Sequence, residues 1–139
     1  MKHISLPSRR LTVSVAVMAI HLTACSAPPA SVQLDSPPQD AIVDQRQELS
    51  GKVAPPNTTV IVVIRPMETS DYWVQPPVTV RSDGKWSVLV YFGEPGAAHK
   101  GKKFEVRAFA APKTKLTEGK TPGWPAATAQ SDVLRYTRK

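Results

Sequence analysis

Cysteine is almost missing, with one residue in a chain of 139. A lone thiol excludes an intramolecular disulfide and any cysteine-based zinc cage. Histidine is scarce as well, at 3 residues, which leaves little from which to build a multi-histidine metal centre. Aromatic residues make up only 6% of the chain, whereas there are 14 prolines. Proline removes an amide donor and clashes with the preceding helical turn, so a long helical bundle or coiled coil is excluded. No apolar run reaches the roughly 20 residues that a stable membrane-spanning helix needs. A chain of this length supplies one domain with one modest core.

Acidic residues are also few, 11 against 18 lysines and arginines, for a formal charge of +7. Three of the basic residues, Lys2, Arg9 and Arg10, stand before the apolar stretch Leu11 to Leu22, with no acidic residue beside them. A charged start followed by a short apolar run has the layout of a secretory signal. Setting those three aside leaves 15 basic and 11 acidic residues, a charge of about +4. The remaining cations are scattered, apart from Lys100, Lys102 and Lys103. Without a basic stripe interleaved with aromatics or a recognisable module, nucleic acid is not expected as a partner. The lysine trio reads as a solvated loop, with anionic lipid or glycan as the alternative contact.

The apolar run ends in Leu22-Thr23-Ala24-Cys25. This resembles the lipobox of bacterial lipoproteins, with Leu22 at the branched aliphatic position, Thr23 and Ala24 at the small positions and Cys25 at the modified one. The resemblance implies a signal peptide over residues 1–24 and transfer of diacylglycerol to the Cys25 thiol. Cleavage before Cys25 and acylation of the new amino terminus, as by palmitate, would follow. Several chains anchor a protein essentially permanently, since each buried CH₂ contributes about 0.8 kcal/mol and a single chain is marginal. Ser26 in place of Asp after the cysteine implies, by the same resemblance, the outer membrane, facing the periplasm.

Residues 25–40 include Pro28, Pro29, Pro37 and Pro38 among serines and alanines. Such a stretch favours extended conformations and reads as a spacer that lifts the domain off the membrane.

From residue 41 to 139 the pattern is that of short strands between turns. Leu49 to Val53, Thr58 to Arg65, Val78 to Arg81, Trp86 to Phe92, Phe104 to Ala110 and Ser131 to Thr137 are rich in β-branched residues or alternate apolar with polar. Asp83-Gly84 supplies a tight hairpin turn. Six or seven strands in about 100 residues predict an all-β fold, an immunoglobulin-like or fibronectin type III-like sandwich, with a small β-barrel as the alternative. The chain resembles the immunoglobulin-like modules of bacterial envelope proteins in architecture alone, and that resemblance carries no site with it. Two long connections remain, residues 93–102 and 112–130, the second far beyond ordinary loop length and read as either functional or disordered.

Catalytic chemistry is poorly supplied. After the signal segment the only histidine is His99, placed in a flexible loop, and no G-x-S-x-G or S-x-x-K pattern is present. Glu68 and Asp71 are too few for the six to eight oxygens that calcium takes. No enzyme, metal or cofactor is expected. The best candidate ligand-binding residues are Tyr72 and Trp73, between prolines, and Trp124 in the long loop, since aromatic faces beside polar groups suit sugar rings or extended peptides. The alternative is that Tyr72 and Trp73 straddle a strand, one plugging the sandwich, while Trp124 pins its loop to the sheet. Taken together, the sequence predicts a lipid-anchored envelope protein that binds another envelope protein, or else a glycan such as peptidoglycan or an exported polysaccharide.

Overall fold

The computed structural model describes residues 28–139. The signal segment and the lipobox residues Leu22, Thr23, Ala24 and Cys25 lie outside the described residues. Eleven strands follow one another: β1 (Ser31–Ser36), β2 (Ile42–Val43), β3 (Arg46–Ala54), β4 (Val60–Pro66), β5 (Tyr72–Val74), β6 (Thr79–Val80), β7 (Lys85–Tyr91), β8 (Lys103–Pro112), β9 (Gly119–Thr121), β10 (Ala127–Gln130) and β11 (Leu134–Arg138). One 3₁₀ turn, Ala97–His99, interrupts them, and no described helix is long and apolar enough to cross a membrane.

Alternation decides which side chains face inward. In β7 Trp86, Val88 and Val90 are buried while Lys85, Ser87, Leu89 and Tyr91 are exposed, the period-two signature of a half-buried strand. The strands form two sheets, β1-β3-β7-β6 and β2-β11-β8-β4-β5-β9. In the immunoglobulin sandwich the strands A-B-E-D form one sheet and C-F-G the other. Here β1, β3, β7 and β6 fill the first set, and β4, β8 and β11 the second. The all-β sandwich is therefore present, and the sheets do not close into a barrel. Val62 and Ile64 of β4, Val106 and Ala108 of β8, Leu49 of β3 and Trp86 of β7 meet between the sheets.

Eleven strands exceed the six or seven expected because two stretches read as irregular carry their own pairing and the short β2 and β5 add to them. The first is the supposed spacer. Residues 31–36 pair antiparallel with β3, Val32 opposite Val53 and Leu34 opposite Gly51, so the domain begins at Ser31 and not at Ala41. Its prolines lie outside the paired stretch, and the apolar Val32 and Leu34 face inward between polar neighbours. The end of the segment is stitched down by Tyr136, whose buried hydroxyl donates to the Pro37 carbonyl at 2.6 Å, and by the Asp40 amide, which donates to the Arg135 carbonyl.

The second is the long connection after β8, which contains β9 and β10. Leu116, ahead of β9, and Trp124, between the two strands, pack with Val63, Val74 and Phe109 on the outer face of the larger sheet. This satellite core explains why β4 reads as a continuous apolar run: Val62 and Ile64 face one layer, Val63 the other. The three residues of β5 are a strand that Tyr72 and Trp73 straddle, as the alternative reading of these residues had it.

Gly51 is required by close approach. A Cβ there would collide with the Gln33 carbonyl oxygen of β1 and come within 2.6 Å of the Trp86 indole.

The pairing also defines two poles. Ser31 lies opposite Ala54, so the chain enters the sandwich at the pole where β3 and β8 end. The connection 93–102, the start of β8 and the end of β11 lie at the other pole.

Burial pushes the Tyr136 phenol above its ordinary value of 10.0. The neutral form is the one the fold accepts, so its contribution is complete below pH 10 and is lost as pH climbs from there toward the raised value. Chemical denaturation of wild type should lose up to about 1.4 kcal/mol per pH unit above pH 10 from this group. Tyr136→Phe should cost about 1 kcal/mol at pH 7 and narrow its deficit above pH 10. A deficit that stays constant with pH would show that the phenol is not held neutral.

Candidate ligand-binding cleft

One cleft, of about 510 Å³, opens near the second pole between the two sheets. Its floor is formed by the buried side chains of Ile64 and Phe104. Trp73 and Tyr91 flank it, each 40% exposed. Asp71, Glu94 and Glu118 also line it, together with Thr69 and His99, and the lining contains no lysine or arginine. That is unusual for a chain with an excess of cations.

Trp73 reaches the cleft because of register. It pairs with Ile64 while Val74 pairs with Val63, and directly opposed residues share a face. Trp73 therefore lies on the inner side with Ile64, at the margin of its sheet, and Tyr72 and Val74 lie on the outer side. There Tyr72 meets Trp124 edge-on at 4.9 Å, and Trp124 lies 5.9 Å from Phe109. The three aromatic residues singled out in the sequence do not form one surface. Tyr72 and Trp124 are packing residues that hold the long connection against the sheet, and Trp73 alone opens to a cleft.

Gln75 sets the spacing behind Trp73. Its amide nitrogen donates to the Trp73 carbonyl at 3.2 Å, and its oxygen accepts the Tyr91 amide at 2.9 Å. One buried side chain thereby ties β5 in one sheet to β7 in the other. Tyr91 was legible only as an outward position in the alternation of β7. It receives Arg46 over its ring at 5.8 Å, and two residues away Leu89 extends the exposed apolar surface on the same face.

The remaining wall comes from residues 93–102, read as flexible and found pinned. Arg138, 4% exposed, donates through Nη1 to the carbonyls of Phe92 and Glu94 at 3.0 and 2.6 Å, and through Nη2 to Gly96 at 2.7 Å. Three carbonyl dipoles thus receive a buried cation that a carboxylate would ordinarily balance. The Arg138 backbone adds bonds to Lys102 and Gly101. Gly93, Gly96 and Gly101 take the positive φ values of the turn, and the His99 ring sits over Gly93 so closely that a Cβ there would lie 2.8 Å from it.

Other charges are spent on local pairing. Lys120 meets Asp71 at 2.7 Å and Lys102 meets Glu68 at 2.7 Å, both largely exposed and worth little to stability. Arg65 pairs with Glu105, whose carboxylate raises the guanidinium further, and it lies over the Tyr72 ring. Glu68 and Asp71 are thus engaged with lysines, and no group of three or more metal-ligating side chains exists among the described residues. The lysine trio is divided, Lys102 pairing with Glu68 while Lys100 and Lys103 stay exposed.

Comparison with known proteins yields no family model, no curated protein and no solved structure that matches this chain.

Two substitutions should separate wall from core. Trp124→Ala should destabilise by about 3 kcal/mol, as a large aromatic leaving a cavity does, whereas Trp73→Ala should shift the denaturation midpoint little. Equal losses would make both rings core. Arg138→Lys should destabilise by roughly 2–4 kcal/mol, because one ammonium cannot reach three carbonyls in a fixed fork. Amide hydrogen exchange across residues 93–102 should rise with it, and unchanged protection there would refute the pinning.

Proposed function

We propose that this chain is a lipid-anchored protein of the cell envelope, held through Cys25 in the outer membrane. Its non-catalytic immunoglobulin-like sandwich recognises another envelope protein through the Trp73 cleft. The observation that carries the reading is the composition of that cleft: an apolar floor, the half-open Trp73 ring, and the carboxylates of Glu94 and Glu118, with no lysine or arginine in the lining. Folding alone does not call for an indole at the edge of a sheet to remain 40% exposed. An aromatic face beside carboxylates suits a basic side chain, which gains cation–π attraction and charge pairing together while its aliphatic stem covers the floor. The ligand is accordingly a segment of the partner that presents Lys or Arg.

Two features favour the cleft over strand addition. Of the strands that end the two sheets, β2, β6 and β9 have only two or three residues and β1 alone has six, and short edges are a common defence against added strands. Pro76 and Pro77 stand one residue ahead of β6, before Val78. A glycan is the second reading, supported by the pairing of Trp73 with carboxylates. It is weakened because Tyr72 and Trp124 are taken up in packing and do not extend a platform for successive sugar rings.

The test uses the lipidated protein in envelope extract, with affinity capture beside sedimentation on purified cell-wall glycan. A defined protein should be retained by wild type, lost by roughly tenfold or more in Trp73→Ala, and weakened by salt and by Glu94→Gln with Glu118→Gln. Retention that survives Trp73→Ala would remove the cleft from the interaction. Sedimentation with glycan alone, abolished by Trp73→Ala, would establish the second reading instead.

A further inference from the structure

The net charge of the described chain is not spread over it. Lys52, Arg81, Lys85, Lys113 and Lys115 are all exposed, and all lie at the pole where the chain enters the sandwich. Lys52 is two residues from Ala54, the partner of Ser31. Lys85 is directly opposite Lys52 across β3 and β7, and the Arg81 amide bonds the Lys85 carbonyl in the adjoining turn. Lys113 and Lys115 follow Ala111, whose amide bonds Thr59 in the connection out of β3. The one acidic residue in this group is Asp83, whose carboxylate accepts the Lys85 amide and is held below its ordinary value by that bond.

Five cations and one carboxylate leave this pole with the whole excess of about +4, since the ten basic and ten acidic residues elsewhere balance. Lys52 and Lys85 are like charges directly opposed on a sheet, an arrangement that works against stability. Beside them Asn57, Thr58, Thr59 and Thr114 line a shallow depression with Lys113 and Lys115, adding hydrogen-bond donors to the cations.

We propose that this basic pole is a docking surface for the anionic headgroups of a lipid bilayer. The inference rests on the reading of Cys25 as the anchor, which fixes the occupant. From Cys25 to Ser31 the chain can span at most about 20 Å, so the pole that Ser31 enters is the one presented to the bilayer. Charge complementarity does the rest: each cation near an anionic membrane surface favours binding, and the effect falls off within a Debye length. The cleft, near the other pole, is left facing away from the lipid.

The test separates the pole from the anchor. A chain beginning at Ser26, which contains every strand of the sandwich and no lipid, is sedimented with vesicles of phosphatidylcholine with or without phosphatidylglycerol. It should bind only the anionic vesicles and release with salt. Lys85→Glu with Lys113→Glu and Lys115→Glu should weaken binding roughly a hundredfold, and the same three positions changed to Gln should weaken it less. Lys100→Glu, Lys103→Glu and Lys139→Glu, at the opposite pole, should leave it within about twofold. No preference for anionic vesicles, or equal losses from both triple variants, overturns the proposal. Anchoring is read separately, by whether Cys25→Ser moves the full protein from membrane to soluble fractions.

Discussion

A guanidinium enclosed by carbonyls governs the working end of this molecule. Arg138 is buried without a carboxylate, and its charge is met by the oxygens of Phe92, Glu94 and Gly96. Such a group tolerates little displacement, because each carbonyl that moves away leaves a desolvated donor behind. The turn from β7 to β8 therefore has one geometry, His99 comes to rest on Gly93, and Glu94 is delivered to the rim of the cleft. Gln75 performs the matching task across the opening. A cleft between two sheets that could slide past one another would have no fixed width; these two polar side chains fix it.

The larger sheet has a use for both of its faces. Its inner face closes the core of the sandwich, and its outer face is roofed by the long connection through Leu116 and Trp124. A sheet covered twice needs strands that are apolar on both sides, which β4 and β8 supply in Val62-Val63-Ile64 and Ala108-Phe109-Ala110. The smaller sheet has no such roof, and β7 keeps its strict alternation. Difference in cover, and not in strand propensity, separates the two sequence patterns.

Legibility in the sequence followed the same division. Strands β3, β4, β7, β8 and β11 declare themselves by alternation or by β-branched runs, and with Asp83-Gly84 they suffice for an all-β sandwich. The element hidden among prolines, β1, was lost because composition averages over a stretch in which only Val32 and Leu34 point inward. Short β5 and β9 exist by virtue of the partners they pair with, which no local window contains. Of the two readings of the aromatic residues, a shared surface and a straddled strand with Trp124 pinning its loop, the second is the one found. Tyr72 and Trp73 are neighbours in sequence and therefore opposites in a strand, so one was bound to leave any common surface. Tyr91 and Glu94 joined the site through Gln75 and Arg138, long-range contacts with no signature in composition.

Absorbing residues 31–36 into the first sheet alters more than a boundary. A spacer over residues 25–40 would let the domain wander, whereas a first strand that begins at Ser31 leaves only Ser26 to Ala30 between the sandwich and Cys25. The height at which the cleft operates is then set by rigid strand: ten residues of β8 rise about 33 Å. For a chain anchored at Cys25, the sandwich becomes a ruler. It offers its recognition surface at one distance from the bilayer, and a partner is selected by whether it can meet that plane as well as by whether it fits.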